Sequence, residues 1–285
     1  MINALGGIYA FLFGAVIGSF LNVCVARWPA GLSVVRPRSR CPKCGRSIRA
    51  LENIPILSWI ALRARCRGCR EKISVQYPLV ELATGLLWLW SFVHYGADFS
   101  ALRVAIFGTL LLGIALTDAQ HFLIPDGFTV SGLGWVLLTV FIGAFLREQG
   151  PFASPWDAIV GLCAGAGAIA VIGWLGEVAL NRPAMGFGDS TLMAVVGAAV
   201  GPARALLTLF IAAVIAPVVL IGFIYPLTSS RAAVRAGQLD LPLAARFVWR
   251  GRELPFGVFL APSAFVALVY GDRIIDWYFK ISGLK

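Results

Sequence analysis

Residues 206–224 hold no charged side chain and neither do residues 105–116; a helix drawn through either run is apolar on every face. Such a helix has to be buried, in the core of a large protein or in lipid. The chain of 285 residues is 59% hydrophobic and 13% charged, with mean hydropathy +0.83, against about 25% charged in soluble domains. Lipid is the reading that fits. A hydrocarbon layer about 30 Å thick takes roughly 20 apolar residues per helical crossing, which gives material for about seven to nine crossings. A transmembrane strand would alternate in polarity over about ten residues, and these runs do not. The composition excludes a soluble cytosolic enzyme, a disordered tail and a small disulfide-stapled secreted domain.

The formal charge of +10 is concentrated in one place. Arg27, Arg36, Arg38, Arg40, Lys43, Arg46, Arg49, Arg63, Arg65, Arg67, Arg70 and Lys72 stand against Glu52 and Glu71 alone, so this segment carries the whole excess and the rest of the chain is balanced. Such clusters bind nucleic acid in some proteins. In a multi-span chain, a Lys/Arg-rich loop instead marks the cytoplasmic face and lies near anionic lipid, so no nucleic-acid partner is expected. The run at 5–26 lacks the positive flank of a cleaved signal peptide, because Arg27 is the first basic residue. It reads as an uncleaved span with the N-terminus outside. Spans are then expected at 5–26, 78–95, 101–117, 127–146, 158–180, 190–202, 205–225 and 256–271. A second basic loop, 231–252, falls on the inside. The span at 190–202 is short and has Pro202 in its last turn. The tail, 272–285, mixes aromatic and charged residues and is expected along the membrane interface.

Within the basic segment, Cys41-Pro-Lys-Cys44 and Cys66-Arg-Gly-Cys69 form two C-x-x-C pairs. Tetrahedral zinc takes four thiolates at about 2.3 Å, two from each such turn. Lys43, Arg65, Arg67 and Arg70 supply positive potential that favours thiolates. A redox dithiol or two disulfides would use the same residues, but a cytoplasmic location opposes disulfides and no βαβ pattern surrounds either pair. Structural zinc on Cys41, Cys44, Cys66 and Cys69 is expected, in a module too small to hold itself together by a core. Cys24 and Cys163 lie in apolar spans and read as small hydrophobes. The fold class is thus an all-α polytopic membrane protein of about eight transmembrane helices with a small cytoplasmic zinc-binding domain. Its parts are a first transmembrane helix at 1–26, the four-cysteine domain at 27–77 and a transmembrane domain at 78–285.

Ionisable groups at the ends of membrane helices are candidates for function. Asp118 follows the third span, Asp126 precedes the fourth and Asp189 precedes the sixth, all at cytoplasmic ends in this topology. Two carboxylates brought close cannot both ionise cheaply; sharing a proton, they can act as general base toward water and general acid toward a leaving amine. Gly186 and Gly188 are expected to let a substrate backbone approach and to take up dihedrals that other residues resist. The same aspartates can instead cap helices or pair with Arg182. Glu81, Glu177 and His121 are weaker candidates, and His94 reads as part of an aromatic belt.

Several motifs in order resemble the type IV prepilin peptidases. Gly18-Ser19-Phe20-Leu21-Asn22-Val23, with Arg27 and Pro29, is similar to that family's opening motif. The cysteine module, with Asn53-Ile54-Pro55 and Ser58 between its pairs and Ile73-Ser74, Tyr77-Pro78 and Glu81 after it, resembles the family's cytoplasmic domain. Asp118 with Pro125-Asp126, and Gly186-Phe187-Gly188-Asp189, resemble the segments that hold its two catalytic aspartates. Pro255-Phe256-Gly257 matches the start of the last span. The resemblance implies an aspartyl peptidase of the bacterial inner membrane, with Asp118 and Asp189 catalytic, Asp126 accessory and the active site on the cytoplasmic side. Its substrates would be type IV prepilins or type II secretion pseudopilins, cut after a glycine that follows a short basic leader. Members with the cysteine module commonly also N-methylate the new terminus from S-adenosylmethionine. One residue departs from the pattern: Thr191 stands two positions after Asp189, where the family usually has Lys.

A prepilin suits the physical reading, since its apolar helix can stay in lipid while the basic leader remains in the cytoplasm. The basic module would order a loop over the site or help bind the methyl donor. The rival reading is a transporter in which the three aspartates relay a cation or proton beside a regulatory zinc module; transporters place such groups near mid-bilayer, often with an internal repeat, and neither feature is evident. A noncatalytic anchor recruiting partners through the basic module leaves the aspartate motifs without a role.

Overall fold

The computed structural model describes residues 2–148, 150–181, 185–220, 222 and 255–283. Arg182 and the basic loop at 231–252 lie outside the described residues. The helices are α1 (Ile2–Arg27), α2 (Leu57–Ala61), α3 (Gln76–Tyr95), α4 (Phe99–His121), α5 (Asp126–Phe145), α6 (Pro155–Leu180), α7 (Phe187–Val200), α8 (Pro202–Val219) and α9 (Gly257–Ile281). Apart from the short α2, each falls on one expected span. Six, namely α1, α4, α5, α6, α8 and α9, are long and apolar enough to cross a membrane. Among the described residues there is no strand, only two isolated antiparallel bridges, Arg40 with Ser47 and Arg65 with Lys72. The chain divides into two units, Met1–Gly113 and Ile114–Lys285, with α4 running from one into the other.

In the first unit α1 packs along α3. Glycines set the spacing: a Cβ on Gly14 would lie 2.6 Å from Trp88 Cβ, and one on Gly18 would lie 2.8 Å from Glu81 Cα. Small residues of this kind let membrane helices gain dispersion contact where lipid supplies no hydrophobic drive. Asn22 then ties the two helices, its Nδ2 donating to Tyr77 O at 3.1 Å. The chain between α1 and α3 forms the cysteine module.

In the second unit α7 is the central element. It packs against α5, α6, α8 and α9, and Leu192, Met193 and residues 195–200 are all buried. Its contact with α6 is backbone on backbone, because a Cβ on Gly161 would collide with Gly197 O, and one on Gly197 with Gly161 O. The expected span at 190–202 is therefore shifted. The helix starts at Phe187 and stops at Val200; Gly201, at φ +82°, makes the turn, and Pro202 opens α8 rather than closing α7. Proline suits the first turn of a helix, where its missing N–H has no partner to lose. Fourteen residues span only about 21 Å at 1.5 Å each, short for a helix facing lipid but sufficient for one enclosed by its neighbours. Arg204 fastens the far end: it donates to Val200 O and Pro151 O, both at 2.7 Å, and pairs with Asp272 on α9 at 3.4 Å. The tail expected to leave the last span at 272 continues α9 to Ile281.

Candidate active site and metal centre

The two cysteine knuckles have the same construction. In the first, Cys41 N–H donates to Arg46 O and Gly45 N–H to Cys41 O, both at 2.9 Å; in the second, Cys66 N–H donates to Glu71 O at 2.8 Å and Arg70 N–H to Cys66 O at 3.0 Å. Each turn closes through a residue with positive φ, Gly45 at 69° and Arg70 at 61°. All four sulfur atoms lie within 4.8 Å of one another, and Cys41 Sγ is 3.8 Å from Cys69 Sγ. That separation is the edge of a tetrahedron with bonds of about 2.3 Å, far outside a disulfide. The amides of Cys44 and Lys43 hold the Cys41 thiol down to about 6, while, against the pull of the Glu71 amide, burial and the neighbouring thiols push Cys69 up to about 11. Donor type, number and spacing all fit zinc.

Charge completes the module. Glu52 sits between the knuckles and accepts from Arg46 at 2.8 and 3.1 Å, from Arg67 at 3.4 Å and from the Arg49 amide at 3.3 Å. The Arg46 guanidinium holds the Glu52 carboxyl below its ordinary range. One carboxylate thus ties both knuckles, a role the sequence did not reveal. Glu81, on α3, accepts from the Ile56 amide at 2.7 Å, which ties it to the module.

The aspartates lie in the second unit. Asp118 is inside α4, in its last turn, rather than after it, and is 5% exposed. Its Oδ2 accepts from Val258 N–H at 3.1 Å, so the N-terminus of α9, with its unpaired amides and positive dipole end, meets this carboxyl group. Asp189 is in the first turn of α7, where a carboxylate is favoured for the same reason. It is half-buried. Buried Ile124 lies between: a Cβ on Gly188 would be 3.0 Å from Ile124 Cβ, and one on Gly257 would be 3.1 Å from Ile124 Cδ1. Asp126 is exposed at the start of α5.

The dihedral role expected of the two glycines is not what the structure shows. Gly186 has φ −78° and Gly188 is helical, so neither uses a conformation reserved for glycine. Gly188 matters through space against Ile124. A stronger constraint falls on Gly257, where a Cβ would lie 2.8 Å from Asp118 Oδ2. Its only signal in sequence was its place in the Pro-Phe-Gly start of the last span. Thr191 turns its hydroxyl to Gly188 O at 2.9 Å and brings no charge to the site. Glu177 and His121 are exposed. His94 stacks on Trp90 with ring centroids 5.1 Å apart. Cys24 is buried among apolar residues and Cys163 is exposed on α6.

Two family profiles match the chain in succession: the bacterial peptidase A24 N-terminal domain over residues 12–95 and the type IV leader peptidase family over residues 105–221. Proteins named prepilin leader peptidase/N-methyltransferase are similar over most of its length. The one from Stutzerimonas stutzeri is 32% identical, the match covering 96% of this chain and 94% of that protein. The Pseudomonas aeruginosa protein is also 32% identical, covering 96% and 93%. The Myxococcus xanthus protein is 41% identical over 67% of this chain, a stretch that spans 55% of the relative's own length. No solved structure matches. These relatives are named as peptidases, which leaves the transporter reading without support.

Proposed function

Because this chain belongs to the type IV leader peptidase family, we propose that Asp118 and Asp189 cleave the basic leader of type IV prepilins or type II secretion pseudopilins after a glycine. The reaction runs at the cytoplasmic surface of the bacterial inner membrane, where the substrate's basic leader and water are found. The observation that carries this reading is the placing of both aspartates at helix ends around Ile124: Asp118 Oδ2 accepts from the Val258 amide beside Gly257, Asp189 follows Gly188, and both glycines lie against Ile124. One carboxylate takes a proton from water as the oxygen attacks the scissile carbonyl carbon. The other carboxyl group gives its proton to the leaving amine as the C–N bond breaks. The pair regains its starting form when the protons are exchanged with solvent. Asp126, exposed near the same helix ends, is accessory.

The second activity is N-methylation of the new terminus. S-adenosylmethionine, when bound, would supply the methyl group for the terminal amine, which would give up a proton as S-adenosylhomocysteine is released. The cysteine cluster holds zinc, and its role is to hold the module's shape. Incubating the purified protein with a synthetic prepilin, with and without S-adenosylmethionine, and weighing the products tests both halves. The expected result is a peptide shortened at the glycine, then a methylated one when the donor is present. An intact peptide in both samples sinks the peptidase reading.

A further inference from the structure

Motif residues that the aspartate chemistry does not use converge on one cavity in the first unit. Asn22 and Arg27 come from the end of α1, Asn53 and Ser58 from between the knuckles, and Tyr77 and Glu81 from the start of α3. They enclose about 440 Å³, within the roughly 300–1,000 Å³ of small-molecule sites. Cys41 and Cys66 form part of the wall, so a metal on the four thiolates would fix the cavity's shape.

The lining carries both signs of charge. Arg46 and Arg67 are engaged by Glu52, and Arg27 by Ser33 O at 2.9 Å. Arg40 and Lys72 remain, each on the bridged arm of a knuckle, in the same lining as Glu71 and Glu81. Glu81 is 8% exposed, has one amide donor and makes no ion pair among the described residues. A carboxylate this deep calls for a cation. Trp59 also lines the cavity, its ring fixed by donation from Nε1 to Ile73 O at 3.2 Å. An indole held in this way stacks on a flat heterocycle or a cation. The cavity therefore suits a ligand that joins a carboxylate, a cationic centre and a flat base.

We infer that this cavity binds S-adenosylmethionine, with Glu81 toward its cationic groups, Arg40 and Lys72 toward its carboxylate and Trp59 against its adenine. The inference rests on the transferase half of the proposed function and is independent of the peptidase half. It assigns methyl-donor binding to the first unit and leader cleavage to the second.

The test uses the full chain in detergent with radiolabelled S-adenosylmethionine in equilibrium dialysis. Glu81→Gln and Trp59→Leu each weaken donor binding by about tenfold or more, and this loss exceeds any loss in leader cleavage or bound zinc. Donor affinity unchanged in both variants overturns the assignment, and so does loss of a co-purified anionic phospholipid in the variants in place of loss of donor binding. Should a variant lose its zinc, photocrosslinking an azido-adenosyl analogue to the unaltered protein decides: label on residues 53–81 supports the cavity and label confined to residues 114–285 overturns it. A protein that neither binds the donor nor methylates its product brings down the transferase reading itself, whereas one that methylates but is labelled elsewhere brings down only this location.

Discussion

Between residues 28 and 75 Cys41 is the only residue buried as a whole, joined by the side chain of the ion-paired Glu52, whereas α7 buries Leu192, Met193 and the whole of 195–200. The cysteine module holds its residues by ligand chemistry and charge: four converging sulfurs, a carboxylate shared by two arginines, and backbone bonds within each knuckle. The aspartate region is held by close packing, with glycines letting backbones touch where a methyl group would not fit. The difference follows from the surroundings. A small loop in water cannot bury enough apolar surface to order itself, so a metal on the four thiolates would supply what a core does not. Helices in lipid gain nothing from hiding apolar surface from lipid tails, so they are held by shape. Each region should then fail by its own route and leave the other standing.

The largest effect is expected at the carboxyl pair. Asp118→Asn and Asp189→Asn each lower prepilin cleavage by about a thousandfold or more, while insertion, bound zinc and donor binding persist; a cleavage assay on purified variants measures this. Full activity in either variant removes that residue from the chemistry. Next is the packing of α7. Gly197→Leu forces a side chain against Gly161 and costs at least about 3 kcal/mol, so cleavage and the thermal transition of the second unit are lost while zinc stays bound. Loss of zinc in the same variant would mean that the two regions do not stand separately.

The converse experiment is to remove the metal. Chelation, or Cys41→Ser with Cys66→Ser, should release zinc and raise tryptic cutting between residues 28 and 75 by about tenfold or more, with α7 still protected. Gly257→Ala is a finer probe of the second region. The added methyl would lie 2.8 Å from Asp118 Oδ2 and displace that carboxyl from the Val258 amide. A shift below an ångström in a reacting group lowers cleavage by about ten- to a hundredfold, with no change in zinc or in the melting transition.

How much of this was legible in sequence depends on the range of the interaction. Apolar runs announced the helices because each crossing is a local property of about 20 residues. The four cysteines stand out through ligand spacing, and the structure brings their sulfurs together; Asp118 and Asp189 are candidates through the rarity of carboxylates near membrane helices. What stayed hidden was long-range or shape-dependent. The contact of Asp118 with α9 joins residues 140 apart in sequence, so Gly257 looked like a helix start and no more. The span at 190–202 is short for a lipid-facing helix, and only the folded bundle shows that α7 is enclosed by its neighbours. Gly201 makes a turn between helices and Pro202 opens the second of them, which periodicity alone does not separate from a kink. Glu52 was counted as one of two acids in a basic segment, and only the folded knuckles bring Arg46 and Arg67 to it.

The smallest effect tests whether the module is limited by its backbone once the metal is bound. The knuckles are equivalent, yet the left-handed position is Gly45 in one and Arg70 in the other. For a residue with a Cβ that conformation costs about 1–2 kcal/mol, and part of the gain from glycine is offset by its freer unfolded chain. Arg70→Gly should therefore tighten the module by about 0.5–1 kcal/mol, seen as a few-fold slower zinc release to a chelator. Loss of a cation beside the thiolates acts the other way, so Arg70→Asn, which also tolerates positive φ, gives a second reading of the same position. The reciprocal change is cleaner. A Cβ on Gly45 meets nothing within 4 Å, so Gly45→Ala alters only the backbone preference and should speed zinc release about fivefold. Equal release rates in Gly45→Ala and the unaltered protein would mean that the metal and the Glu52 clasp alone set the module's stability, with the turn conformation contributing nothing.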